Sequence, residues 1–236
     1  MSRLTQLYIW PGKLEQVEDV VLSCLTCQQT KPRVTLPAGQ MDPVKIPDLT
    51  PFSVIAIDTI DLPRTPRGFK HVLMIEDVFT KFIICVPLKA VTSSNIITAL
   101  TDHLFLEHGI PSILLSDQAT VFRSTEFQNM CSSYNIQSHF SPKYSPWTNS
   151  SERFNRVVKT CIASFSKSTQ RDWDLKLKYL VFSIRTAVSE VTKTTPVELV
   201  YGRRLKGFYE LFDPIHVSEV AVFDPNQYKN TLQEKL

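Results

Sequence analysis

The order of apolar runs in this chain predicts an α/β fold: a mixed five-stranded sheet flanked by helices. Two observations carry that expectation. Three short apolar runs between residues 53 and 87 follow one another across turn-forming segments, the pattern of an antiparallel meander. Two further runs then alternate with segments of helical periodicity, the pattern of strands joined by helical crossovers.

In chain order, Leu14 to Leu25 has helical spacing, with Leu14, Val17, Val20, Val21 and Leu25 on one side. The next stretch holds Pro32, Pro37, Pro43, Pro47 and Pro51 without clear periodicity and reads as a linker. Ser53-Val-Ile-Ala-Ile-Asp58 is a buried strand ending on its acid, and His71–Glu76 and Lys81–Pro87 are two more. Asp77–Thr80 is short enough to be a hairpin connection. Asn95–His108 is an amphipathic helix, capped by Ser94 or Asn95 and stopped by Gly109 and Pro111. Ser112–Ser116 is the fourth strand and Asn135–Phe140 the fifth, separated by a helix from Ser124 to about Tyr134. A long helix from Ser150 to about Phe165, another over Trp173–Val188 and a short one after Thr195-Pro196 complete the series. Trp173, Leu175, Leu177 and Leu180 read as core or as a subunit interface.

Composition sets bounds on these expectations. The 236 residues, 43% hydrophobic and 10% aromatic, are those of a globular chain and exclude a disordered or low-complexity one. A net charge of +3 permits a nucleic-acid partner without requiring one. The five cysteines suggest no disulfide framework, which favours a reducing compartment. The first ten residues lack the apolar core of a signal peptide, and no apolar run is long enough to span a bilayer. The expected protein is soluble and intracellular, without a membrane partner.

Three acids stand out. Asp58 and Asp117 each end a strand, and Glu152 lies in the first turn of the long helix, with 34 residues between Asp117 and Glu152. Carboxylates that converge from two strand ends and an overlying helix suit two divalent cations, one activating an attacking oxygen and one stabilising a leaving oxygen. Strand ends and first helical turns also favour acids for purely structural reasons. Asp61, which reads as a loop residue, and Asp77 are equally acidic edge residues, so spacing alone leaves the choice open.

The surrounding segments narrow it. Ile55-Ala-Ile-Asp-Thr-Ile resembles the first acidic strand of the retroviral and LTR-retrotransposon integrases, most of all the gypsy-type elements. Leu114-Leu-Ser-Asp-Gln-Ala-Thr-Val-Phe is similar to the family's second acidic segment, and Tyr144-Ser-Pro-Trp-Thr-Asn-Ser-Ser-Glu-Arg-Phe-Asn-Arg to its acidic helix start. Thr195-Pro-Val-Glu-Leu-Val-Tyr-Gly-Arg resembles its tail, and Cys24-Leu-Thr-Cys-Gln-Gln-Thr-Lys the second half of its His-His-Cys-Cys zinc module. The resemblance runs from about Tyr8 to Arg204, with five segments in the family's order. It implies an RNase H-like fold and an acidic triad of Asp58, Asp117 and Glu152 that holds two Mg²⁺ or Mn²⁺ ions. It further implies 3′-end processing and joining of element DNA to target DNA.

Domain expectations follow: a partial zinc-binding module and linker over residues 1–48, a catalytic core over 49–212 and a carboxy-terminal tail over 213–236. No histidine precedes His71, so Cys24 and Cys27 alone leave a four-ligand Zn²⁺ site incomplete. The resemblance leads us to expect a chain that begins inside that module, whether a fragment, a decayed copy or a version that dispenses with it. The family's glycine two residues after the second acid is Ala119 here. If that backbone needed a positive φ, alanine would cost roughly 1 kcal/mol.

For DNA, helical spacing sets Arg156 and Lys159 on the face of Glu152, flanked by Arg153 and Asn155, with Lys143, Trp147 and Asn149 on the loop before. The expected activity is that of an integrase working in the nucleus as a dimer or higher homo-oligomer. The alternative is a degraded or host-retained relative that binds nucleic acid without catalysis. An RNase H-type nuclease shares the acidic chemistry but fits the Glu-Arg-x-x-Arg helix and the Cys pair less well.

Overall fold

Alternation of side chains along a strand explains how each apolar run can serve two cores at once. The computed structural model describes residues 11–24, 50–140, 155–160, 162–163, 171–205 and 207. Its five strands are β1 (Val54–Asp61), β2 (His71–Asp77), β3 (Ile83–Leu88), β4 (Ile113–Ser116) and β5 (Gln137–Phe140). They form one sheet in the order β3-β2-β1-β4-β5. The β1–β2 and β2–β3 pairs are antiparallel, and β1–β4 and β4–β5 are parallel. The meander and the two helix-separated strands thus form the mixed sheet that the order of apolar runs predicts.

The helices are α1 (Lys13–Ser23), α2 (Ser93–Leu100), α3 (Thr125–Ser133), α4 (described over 155–160 and 162–163), α5 (Trp173–Arg185) and α6 (Pro196–Tyr201). On one face of the sheet, Ile55, Ile57, Leu73, Ile75 and Val86 share a core with Ile96, Leu100, Phe122 and Phe127 from α2, α3 and the loop before α3. On the other face, Ile60, Val72, Met74 and Ile83 share a core with Val158 and Ile162 of α4 and Trp173, Leu177 and Val181 of α5. Trp173 and Leu177 are therefore core, whereas Leu175 is 59% exposed.

Two boundaries differ from expectation for a clear local reason. β1 continues past Asp58 to Asp61, because the ladder to β2 runs on through Thr59↔Leu73, Ile60↔Val72 and Asp61↔His71. Asp61 is thus a strand residue bonded to the His71 ring, not a loop residue. The cap of α2 is Thr92, two or three residues earlier than Ser94 or Asn95, and its hydroxyl accepts the Asn95 N–H at 3.2 Å. Beyond Leu100 the helix passes through a π-helical stretch, Thr101–Phe105, before a last turn at Leu106–His108, and Gly109 at φ 95° ends it. Thr195 and Glu198 form a reciprocal capping box at the start of α6. In α1, Leu14 and Val20 are exposed and Val17 half-buried, so its expected apolar side is uncovered among the described residues.

Trp173 ties α5 to the β1–β2 connection. Its side chain is fully buried and its indole N–H donates to the Pro63 carbonyl at 2.8 Å. Trp173→Phe, which keeps the ring but orphans that carbonyl, should cost about 1–3 kcal/mol in urea unfolding. Trp173→Ala should cost about 3–5 kcal/mol.

Candidate active site

Register brings two of the three acids together. β1 pairs with β4 as Val54↔Ile113 and Ala56↔Leu115, so two residues further along Asp58 comes level with Asp117. β4 ends at Ser116 and leaves Asp117 as the first residue beyond the strand. Positions 54, 56 and 58 share a face, as do 113, 115 and 117, so both carboxylates lie on the side covered by α4 and α5. Adjacent strands lie about 4.8 Å apart, within the reach of two acidic side chains.

The rivals are removed by the same alternation. Asp61 and Asp77 pair with His71 and Ile55 on β1–β2, an odd number of positions from Asp58, and so point to the opposite face. Asp61 bonds to His71. Asp77 is buried and accepts the Thr80 N–H at 3.2 Å and the Phe79 N–H at 3.3 Å, shaping the β2–β3 turn. Glu76, on Asp58's face, is buried against the Lys81 ammonium at 3.1 Å.

Asp58 is held from two sides. One oxygen accepts the Thr59 N–H at 2.7 Å, and the other accepts the Asn155 side-chain amide at 2.6 Å. Burial pushes its carboxyl above the usual range, while the bonds from Asn155 and Thr59 pull it down. Asp117 adds like-charge repulsion and Lys159 an opposing attraction, so both lie within electrostatic reach. Asp117 is exposed, and its Oδ1 accepts the Ala119 N–H at 3.0 Å. Ala119 is absent from the residues of positive φ, so alanine carries no left-handed strain there.

The sequence sets Asn155 beside the DNA-contacting cations, not on Asp58, although it stands three positions after Glu152, on the same side of a helix. Its Oδ1 is buried and has no hydrogen-bond partner among the described residues. Arg156 and Lys159 of α4 are exposed. Glu152, Lys143, Asn149, Arg153 and Cys27 lie outside the described residues, while Cys24 is half-buried just after α1. Among the described residues no group of three or more His, Cys, Asp or Glu side chains is placed to hold a metal. The donor set that is described, two carboxylates with a buried amide oxygen beside them, is a hard oxygen set suited to Mg²⁺ or Mn²⁺.

A raised carboxyl pKa has a stability consequence. With its folded value above its unfolded one, Asp58 destabilises the metal-free fold while ionised, and stability returns as pH falls through the folded value toward the ordinary value of an aspartate. Asp58→Asn should therefore be more stable than wild type in EDTA at neutral pH. The gap should narrow on acidification when both are unfolded in urea.

Comparison with known proteins places this geometry. Residues 48–146 match the family model described as "Integrase core domain", and residues 1–33 match the "Integrase zinc binding domain". Transposon Tf2-3 and Tf2-4 polyproteins of Schizosaccharomyces pombe are each 26% identical over 196 residues, covering 82% of this chain. The chain spans 15% of the length of these curated relatives. Among solved structures, the simian T-cell lymphotropic virus intasome in complex with PP2A regulatory subunit B56 gamma superposes with a TM-score of 0.59. It is 22% identical and covers 89% of this chain and 72% of that one. The HTLV-2 integrase catalytic core domain in complex with magnesium, in its trimeric form, gives a TM-score of 0.52 and 20% identity, covering 64% of this chain and 97% of that one. These likenesses show the fold, which is RNase H-like.

Proposed function

We propose that this chain, integrase-like in its core match over residues 48–146 and in its zinc-domain match over 1–33, joins DNA ends by metal-dependent phosphoryl transfer. The observation that carries the reading is the β1–β4 register, which sets Asp58 and Asp117 level on one face of the sheet. The chemistry needs carboxylates that converge, and among the described acids these two do.

Asp58, Asp117 and Glu152 would hold two divalent ions, with Glu152 assigned by family resemblance. When bound, such ions activate the attacking oxygen and stabilise the leaving one. The chain's own contribution is positional. Thr59 and Asn155 fix the Asp58 carboxylate through both oxygens. Asp117 is anchored through the Ala119 N–H, which sets the direction of its free oxygen. Arg156 and Lys159, three apart on exposed helix, would take the phosphates beside the site, joined by Lys143, Asn149 and Arg153 from the preceding segment.

In this reading, residues 49–212 form the catalytic core, preceded by the zinc-module segment and followed by a tail over 213–236. Because two DNA ends must be joined together, the working unit would be a dimer or larger, acting in the nucleus. A neighbour is an intasome and another a trimeric core, which supports assembly as the working state. No helix among the described residues is long and apolar enough to cross a membrane.

Asp117→Asn should abolish Mn²⁺-dependent joining of labelled DNA ends while leaving the circular dichroism spectrum unchanged. A folded wild-type chain without joining or its reversal would leave only the DNA-binding alternative. Arg156→Ala with Lys159→Ala should weaken DNA binding and flatten its dependence on salt by roughly two units of slope. Unchanged binding would remove that helix face from the DNA path.

A further inference from the structure

We propose that the β1–β2 connection, with Lys89 and Arg171 beside it, is a second DNA surface that grips the phosphates of duplex flanking the reacting phosphate, whatever its sequence. The inference rests on the DNA-joining reading above and extends it to a part of the molecule that carries none of the acidic motifs.

The connection, Leu62-Pro-Arg-Thr-Pro-Arg-Gly-Phe-Lys70, contains three cations in nine residues. Arg64, Arg67, Lys70, Lys89 and Arg171 are all exposed. They are contiguous. Arg67 and Lys89 each approach the Phe69 ring at 5.8 Å, and Arg171 donates to the Arg64 carbonyl at 3.1 Å. The nearest acids are committed: Asp61 to His71, Asp172 to Lys176 and the buried Asp174 to Arg67. Arg64, Lys70 and Lys89 have no carboxylate partner among the described residues. Such a cluster of like charges repels itself unless a polyanion neutralises it.

The cluster is also rigid and correctly placed. Thr65 and Phe69 close the turn through the Thr65 N–H to the Phe69 carbonyl at 2.8 Å, with Gly68 N–H to the Thr65 carbonyl at 2.9 Å. Gly68 adopts φ 89°, a conformation that residues with a side chain rarely take, and a Cβ there would lie in ordinary contact range of the Lys89 methylenes. Trp173 and Arg171 draw the loop toward α5, hence toward the face of the sheet that carries Asp58. Three residues of strand separate Asp58 from Asp61 and span about 10 Å, so the cluster begins there and reaches roughly another 10 Å. At about 3.4 Å per base pair, that is roughly three to six base pairs from the reacting phosphate. Exposed lysine and arginine tips carried on a turn, without a helix or strand to lie in a groove, suit contacts to phosphates that position the duplex whatever its sequence.

The test measures binding of the full-length chain to a random-sequence duplex by fluorescence anisotropy at several salt concentrations. Arg64→Gln with Lys70→Gln and Lys89→Gln should flatten the slope of log affinity against log salt by roughly two to three and weaken low-salt binding at least tenfold. The charge-preserving set Arg64→Lys, Lys70→Arg, Lys89→Arg should keep both. An unchanged slope in the glutamine set, while Arg156→Ala with Lys159→Ala flattens it, overturns this inference and leaves DNA binding standing. Loss confined to single-stranded DNA overturns the duplex assignment. A wild-type chain that binds no DNA overturns both this inference and the reading beneath it.

Discussion

The parallel pairing of β1 with β4 is the constraint from which the site follows. Parallel strands cannot be joined by a tight turn, so the intervening chain must make the antiparallel meander and then return through α2 to lie beside β1. The return is only three paired residues long, Val54 to Ala56 against Ile113 to Leu115. Because side chains alternate, a slip of one position would turn Asp117 to the opposite face and take Leu114 out of the core it shares with Ile55. The hydrophobic preference of that face therefore holds the acids in register, and the core acts on the chemistry through geometry alone.

A second constraint comes from α4. Its apolar residues Val158 and Ile162 are fixed against β1 and β2, which brings Asn155, one turn earlier, onto Asp58. A half-buried carboxylate with a like-charged neighbour is a costly arrangement without a cation, although two donors offset part of the cost. The cost is local, and the surrounding cores on both faces of the sheet are large enough to sustain it. Partial burial at Asp58 and exposure at Asp117 also divide the labour: one acid is preset by the fold, the other remains accessible from solvent.

Much of this was legible in the sequence, and what was not has a common cause. Apolar runs gave the five strands, and Thr195 with Glu198 gave a helix start, because these signals are local. The end of β1 reads three residues short in the sequence because Thr59 and Asp61 are polar, and only their partners Leu73 and His71 on β2 make them strand. Asp61 and Asp77 were separable from Asp58 by alternation once the true strand ends were known. Asn155 carried a helical-spacing signal but no indication of its bond to a residue 97 positions away. The cations of the β1–β2 connection read as an ordinary loop, since nothing local reveals that Trp173 and Arg171 draw it onto the acidic face.

The π-helical stretch at Thr101–Phe105 has a consequence beyond its own geometry. One extra residue within a helical turn shifts everything after it by about 100° around the axis. That offset lets Leu104 and Phe105 both face the core and then delivers His108 flat against Phe52, with ring centroids 4.2 Å apart and planes 9° from parallel. Phe52 immediately precedes the residues that start β1, and Phe82, before β3, meets both rings edge-on. The insertion therefore works as a phase adjuster: it sets the azimuth at which the helix leaves its path, and the aromatic stack passes that setting to the origin of the strand that carries Asp58.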